Sequence, residues 1–204
     1  RNMKAMAVSY ASVGDMENAL GFDKKTVEVS MKVLGENHID TISAMSNLAA
    51  SYNKCGEKIK ALELREKVFE LRKEILGLNH PATLKAMNNL SVSYKETGEK
   101  RKALELQELV VEKRREILGE NHPDTLKAMN NLANSYDAND ETEKALNLYK
   151  QVWERRKLVL GEKHPNTLKS VNNLASFYMK NREKEKAVEL YEYVYEVRKE
   201  ILGS

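Results

Sequence analysis

The chain repeats itself every 42 residues, and no other feature restricts its fold as much. The dipeptide Leu-Gly stands at 34–35, 76–77, 118–119, 160–161 and 202–203. His38, His80, His122 and His164 keep the same step, as do Thr41, Thr83, Thr125 and Thr167. Tyr10, Tyr52, Tyr94, Tyr136 and Tyr178 keep it too, and so do Ala19, Ala61, Ala103, Ala145 and Ala187. A fixed period of this length marks a stacked-repeat architecture, in which one supersecondary unit cannot bury its apolar face alone and its neighbours complete the core. Five units fit, at approximately 1–36, 37–78, 79–120, 121–162 and 163–204, as a single array over 1–204.

Each unit reads as two helices. With only three prolines and nine glycines in 204 residues, little interrupts long helical runs. In the third unit, Pro81 suits a first helical turn, where its missing N–H costs nothing, and His80 precedes it as a cap. Leu84, Met87, Leu90, Ser91 and Tyr94 then line one helical face. Gly98 is expected to end this first helix. Ala103, Leu106, Val110 and Ile117 are expected to form the apolar face of the second, which stops at Gly119. The fold class that follows is all-α: five helix-turn-helix units, about ten antiparallel helices.

Met87-x2-Leu90-Ser91-x2-Tyr94, followed by Ala103, resembles the tetratricopeptide pattern in position. Tyr149 and Tyr191 match that pattern's second-helix aromatic, whereas Arg65 and Gln107 do not. The pattern's terminal Pro is replaced by Lys73, Arg115, Lys157 and Lys199, so the second helix is free to continue to the Leu-Gly stop. The resulting unit exceeds the common 34-residue repeat by about two helical turns. A 42-residue unit carrying "LG-x2-HP" and "NNLA-x2-Y" is similar to the repeats of kinesin light chains. That resemblance implies a right-handed superhelical α-solenoid whose first helices line a concave groove. It also implies a protein–protein interaction role, with groove asparagines holding acidic peptide segments.

Catalytic chemistry finds no support. Cys55 is the only cysteine, without a recognisable catalytic partner, and neither a Gly-rich phosphate loop nor a nucleophile elbow occurs. The four histidines lie one per unit, too far apart to converge on a zinc ion, so capping is their expected role. Arg72, Arg114, Arg156 and Arg198 recur in the second helices and are expected to form ion pairs between units. No enzyme activity, cofactor or metal is expected. The net charge of +3 and the tyrosines at packed positions such as Tyr94 and Tyr136 argue against nucleic acid. No apolar run approaches a membrane span, and the near absence of cysteine points to a reducing, cytoplasmic location.

Partner binding is expected on the side opposite the packed face. At 100° per residue, with Met87 at 0°, Asn88 falls near 100°, at the edge of the buried arc, and Asn89 near 200°. Lys85, Asn89 and Val92 share that outer stripe, as do Asn47, then Lys127, Asn131 and Asn134, then Lys169, Asn173 and Ser176. These ten residues are the candidate peptide-binding positions. Amides offer a donor and an acceptor to a main chain of any sequence, and the lysines favour an acidic segment. The other reading is a regulatory or oligomerisation array of a larger protein with no groove ligand. The terminal units lack polar caps, so flanking repeats or end-to-end self-association are expected.

Overall fold

The computed structural model describes residues 2–203, which form ten α-helices and no strand. The first helices of the repeats are α1 (Asn2–Ser12), α3 (Ile39–Lys54), α5 (Pro81–Glu96), α7 (Pro123–Ala138) and α9 (Pro165–Lys180). The second helices are α2 (Met16–Leu34), α4 (Lys58–Leu76), α6 (Lys100–Leu118), α8 (Thr142–Leu160) and α10 (Lys184–Leu202). The chain divides into two compact blocks, Arg1–Leu106 and Gln107–Ser204. In the first block each helix from α1 to α4 packs on the next; in the second, α8 packs on both α7 and α9, and α9 on α10.

The periodic residues set the helix boundaries. Each of the four histidines is an N-cap with extended backbone, its Nδ1 accepting from the amide two residues on: Asp40, Ala82, Asp124 and Asn166, at 3.1–3.2 Å. That bond satisfies one of the orphan N–H groups at a helix start. Gly77, after α4, takes φ 81° and ψ 163°, a region essentially closed to residues with a Cβ, which is why Leu-Gly recurs at the stop. The second helices run the full 19 residues to that stop, straight through the positions where the tetratricopeptide pattern has proline.

In the turn after each first helix, Gly14, Gly56 and Gly98 have positive φ, and Asp140 and Arg182 take the same left-handed conformation at φ 61° and 64°. A non-glycine residue there costs roughly 1–2 kcal/mol. Arg182→Gly, which removes an exposed side chain, is therefore expected to raise stability by about 1 kcal/mol, read as an upward shift of the urea midpoint.

The buried face of α5 holds Leu84, Met87, Leu90 and Ser91 as expected, and extends further to Thr83, Ala86 and Ser93. Tyr94 is only half-buried. In α6 the buried residues are Ala103, Leu104, Gln107, Val110 and Val111; Leu106 is half-buried. Ile117 was expected on that face but is 44% exposed, because the buried stripe turns away before the helix ends.

The recurring arginines bridge repeats, but not as ion pairs. Arg72, Arg114 and Arg156 each donate from Nη1 to a backbone carbonyl at the start of the next first helix: Ala82, Asp124 and Asn166, at 3.1, 2.7 and 3.0 Å. In return, Thr83 and Thr125 donate from their hydroxyls to the carbonyls of Arg72 and Arg114. Burial lowers the pKa of all three guanidinium groups, since the bonded carbonyl carries only a partial charge.

Candidate peptide-binding face

Two helical faces, one in each block, carry the candidate residues. In the first block Lys85 and Val92 are exposed, and Asn47 and Asn89 are half-buried. In the second, Lys127, Asn134, Lys169 and Ser176 are exposed, and Asn131 and Asn173 are half-buried. The stripes are therefore not uniformly open. Positions at about 240–260° on the helix are buried in α5, α7 and α9 (Ala86 and Ser93, Ala128 and Ser135, Ser170 and Phe177), which leaves the second asparagine of each pair at the edge of the exposed sector rather than at its middle.

That edge position explains the paired asparagines. Asn173 Nδ2 donates to Asn130 Oδ1 at 2.7 Å, joining the second asparagine of α9 to the first asparagine of α7. A 43-residue separation, one more than the period, is what makes an adjacent pair necessary. Lys180 extends the seam, reaching Asp137 Oδ1 at 2.8 Å. In the first block Asn53 Nδ2 meets Glu96 Oε1 at 3.4 Å in the same α3-to-α5 sense.

Three second-helix residues also reach the face, and the stripe pattern did not reveal them. Tyr149 donates to Asn134 Oδ1 at 2.5 Å, and the hydroxyls of Tyr191 and Ser176 are 3.1 Å apart. Arg65 donates from Nη1 to the Asn89 carbonyl at 3.1 Å and to Ser93 Oγ at 2.5 Å. The available signal was the departure from the pattern's second-helix aromatic, with Arg65 and Gln107 where Tyr149 and Tyr191 keep it. Burial pushes the Arg65 guanidinium below its ordinary pKa, partly offset by the nearby Glu96.

Tyr94 and Tyr136 tie repeats together rather than offering stacking surfaces. Their hydroxyls donate to Glu66 and Glu108 at 2.7 Å, while Lys102 and Lys144 sit 5.2 Å from their ring centroids. Burial, with the adjacent carboxylate, raises both phenol pKa values. Among the described residues, no three His, Cys, Asp or Glu side chains come together as a metal site, and no helix is long and apolar enough to cross a membrane.

Helix pairs stacked by a 42-residue rule and tied repeat to repeat by side-chain-to-backbone bonds define a helical-repeat solenoid. Tetratricopeptide repeat models match residues 40–116, 125–166 and 167–204, and the chain belongs to the tetratricopeptide repeat family. A protein of Podosopora anserina, described as a putative kinesin light chain with nearly identical TPR-like repeats, is 29% identical in sequence. Its alignment covers 100% of this chain and 97% of that one, with a TM-score of 0.89. For a variant form of the same protein, also 29% identical, the alignment covers 100% of this chain and 96% of that one, with a TM-score of 0.91. BtubC (BKLC) of P. vanneervenii shares the fold at 17% identity and a TM-score of 0.83, over 99% of this chain and 80% of that one. A search of the curated proteins gave no match. Tetratricopeptide repeats are in general protein–protein interaction scaffolds.

Proposed function

We propose that the first-helix face of each block binds an extended, acidic segment of a protein partner. The carrying observation is the state of the lysines. On the second helices, Lys60, Lys102, Lys144 and Lys186 each pair with a glutamate three residues earlier. Lys85, Lys127 and Lys169 are exposed on the first-helix faces, and among the described residues no carboxylate pairs with them. They are cations that the array itself leaves uncompensated, at one repeat position and beside half-buried amides. Small side chains at Ala50 and Ser176 leave room for a main chain, and Asn173, whose bond to Asn130 uses Nδ2, keeps its carbonyl oxygen as an acceptor for a peptide N–H. Asn47, Asn89, Val92, Asn131 and Asn134 complete the proposed contact set. The single thiol, Cys55, is exposed and suits a reducing, cytoplasmic setting.

Peptides selected from a random display library on the wild-type chain provide the test. The Lys85→Ala, Lys127→Ala, Lys169→Ala triple variant should bind them about tenfold more weakly, with a shallower salt dependence. Asn89→Ala, Asn131→Ala, Asn173→Ala should weaken binding regardless of peptide charge. Unchanged affinity in both well-folded variants would sink the proposal.

A second reading, stacking through the last repeat, draws on α10. Val188, Tyr195 and Leu202 are 49%, 64% and 80% exposed, whereas Leu62 and Phe69, at the positions of Val188 and Tyr195 in α4, are buried. Light scattering over a concentration series should show reversible growth in mass that Tyr195→Lys abolishes; a constant monomer would count against it.

A further inference from the structure

We propose that the cavity among α3, α4 and α5 is a subsite for one carboxylate of the bound segment, held by Arg65; this deepens the peptide-binding reading and rests on it. The cavity has a volume of about 140 Å³ and is lined by Ser46, Ala50, Arg65, Val68, Ala86 and Asn89. At ~30 Å³ per water, that is space for about four waters, or for a short side chain ending in a carboxylate.

The second block shows what this place looks like when the protein closes it. Two repeats on, the equivalent positions are Asn130, Asn134, Tyr149, Val152, Ser170 and Asn173. There Asn173 bonds Asn130, Tyr149 bonds Asn134, and the Tyr149 ring is buried, 5.4 Å from the Phe177 ring centroid. Every polar partner is supplied from within. In the first block both smaller partners are cut back, to Ser46 and Ala50, and a guanidinium replaces the phenol. Ser46 Oγ turns away to its own helix, donating to the Ile42 carbonyl at 3.0 Å.

Arg65 is thus a half-buried cation beside an open cavity lined by both polar and apolar side chains. A guanidinium has five N–H donors, and both recorded bonds of Arg65 leave from Nη1, to the neutral acceptors Asn89 O and Ser93 Oγ. No carboxylate pairs with it among the described residues; Glu96, the acid whose charge it senses, accepts from Asn53. A planar monoanion offering two acceptor oxygens complements the remaining donors. A phosphate dianion would lack a second cation among the lining residues.

The test observes the Arg65 Nε–H resonance by NMR in the whole chain, with N-acetylglutamate N-methylamide and its glutamine counterpart as probes. Arg65→Gln and Arg65→Tyr are the variants, because Gln107 and Tyr149 occupy the same position in other repeats. The glutamate probe should give a saturable shift at Arg65 and at the Asn89 backbone amide, with affinity at least tenfold above the glutamine probe; both variants, followed at the Asn89 amide, should abolish the difference. Equal responses to the two probes, or tighter saturation by inorganic phosphate, would overturn the carboxylate assignment. Because the probe is a single residue, the result stands apart from the peptide assay. Display peptides that depend on the lysine row while the glutamate probe leaves Arg65 unshifted would remove the subsite alone.

Discussion

Met129→Ala is expected to lower the unfolding free energy by about 2–5 kcal/mol, among the largest losses available to a single side chain in this molecule. Met129 has no exposed surface and packs in α7, whose neighbours on the same face, Leu126, Leu132 and Ala133, are also buried. Shortening it removes apolar contact and leaves a cavity that the surrounding helices, tied by side-chain-to-backbone bonds, can close only in part. In a repeat array each unit is stabilised through its neighbours, so the loss weakens the coupling on both sides of α7. Urea denaturation followed by circular dichroism measures it. Lys127→Ala, two residues away on the exposed face, should stay within about 0.5 kcal/mol of wild type and is the control. A Met129→Ala loss no larger than the control's would mean that α7 does not pack as described.

Lys157→Pro should cost about 3 kcal/mol or more, although the side chain it removes is exposed. Proline at this position is what the common tetratricopeptide pattern carries, and here α8 continues beyond it to Leu160 before Gly161 stops the helix. The ring would clash with the carbonyl one turn earlier and remove an amide from the helical ladder. Arg156, immediately before it, bonds the Asn166 carbonyl, and the last turn beyond it leads to the His164 cap. Lys157→Ala should be nearly neutral, which separates the backbone effect from loss of the exposed pair with Glu162. A proline variant as stable as the alanine variant would show that the helical turn from Lys157 to Leu160 is dispensable.

The two variants also mark what was legible in the sequence. Helix starts and stops were legible because they depend on local chemistry: a histidine acceptor, a proline at the first turn, a glycine that alone tolerates its φ and ψ. The core methionines and leucines were legible from periodicity. What could not be read was how wide the buried face is. α3 packs between α2 and α4, and α9 between α8 and α10, so Ala44 and Ser170 are buried on flanks where small or polar residues suffice and hydropathy gives no signal. The arginines were misread for a related reason. A recurring cation suggests a recurring anion, yet the acceptor is a backbone carbonyl that carries no sequence signature. The paired asparagines fall between these cases, since their position was clear but the bond from Asn173 to Asn130 exists only once two repeats are in contact.

If partners lie along the first helices, a spin-labelled display peptide will broaden the backbone amides of those helices by paramagnetic relaxation. Broadening is expected at Lys85, Asn89 and Val92 in the first block and at Lys127, Asn134, Lys169 and Ser176 in the second. Exposed second-helix residues such as Glu105, Glu143 and Leu158 should remain sharp. Broadening confined to those second-helix positions, with the lysine row unaffected, would contradict a first-helix binding face.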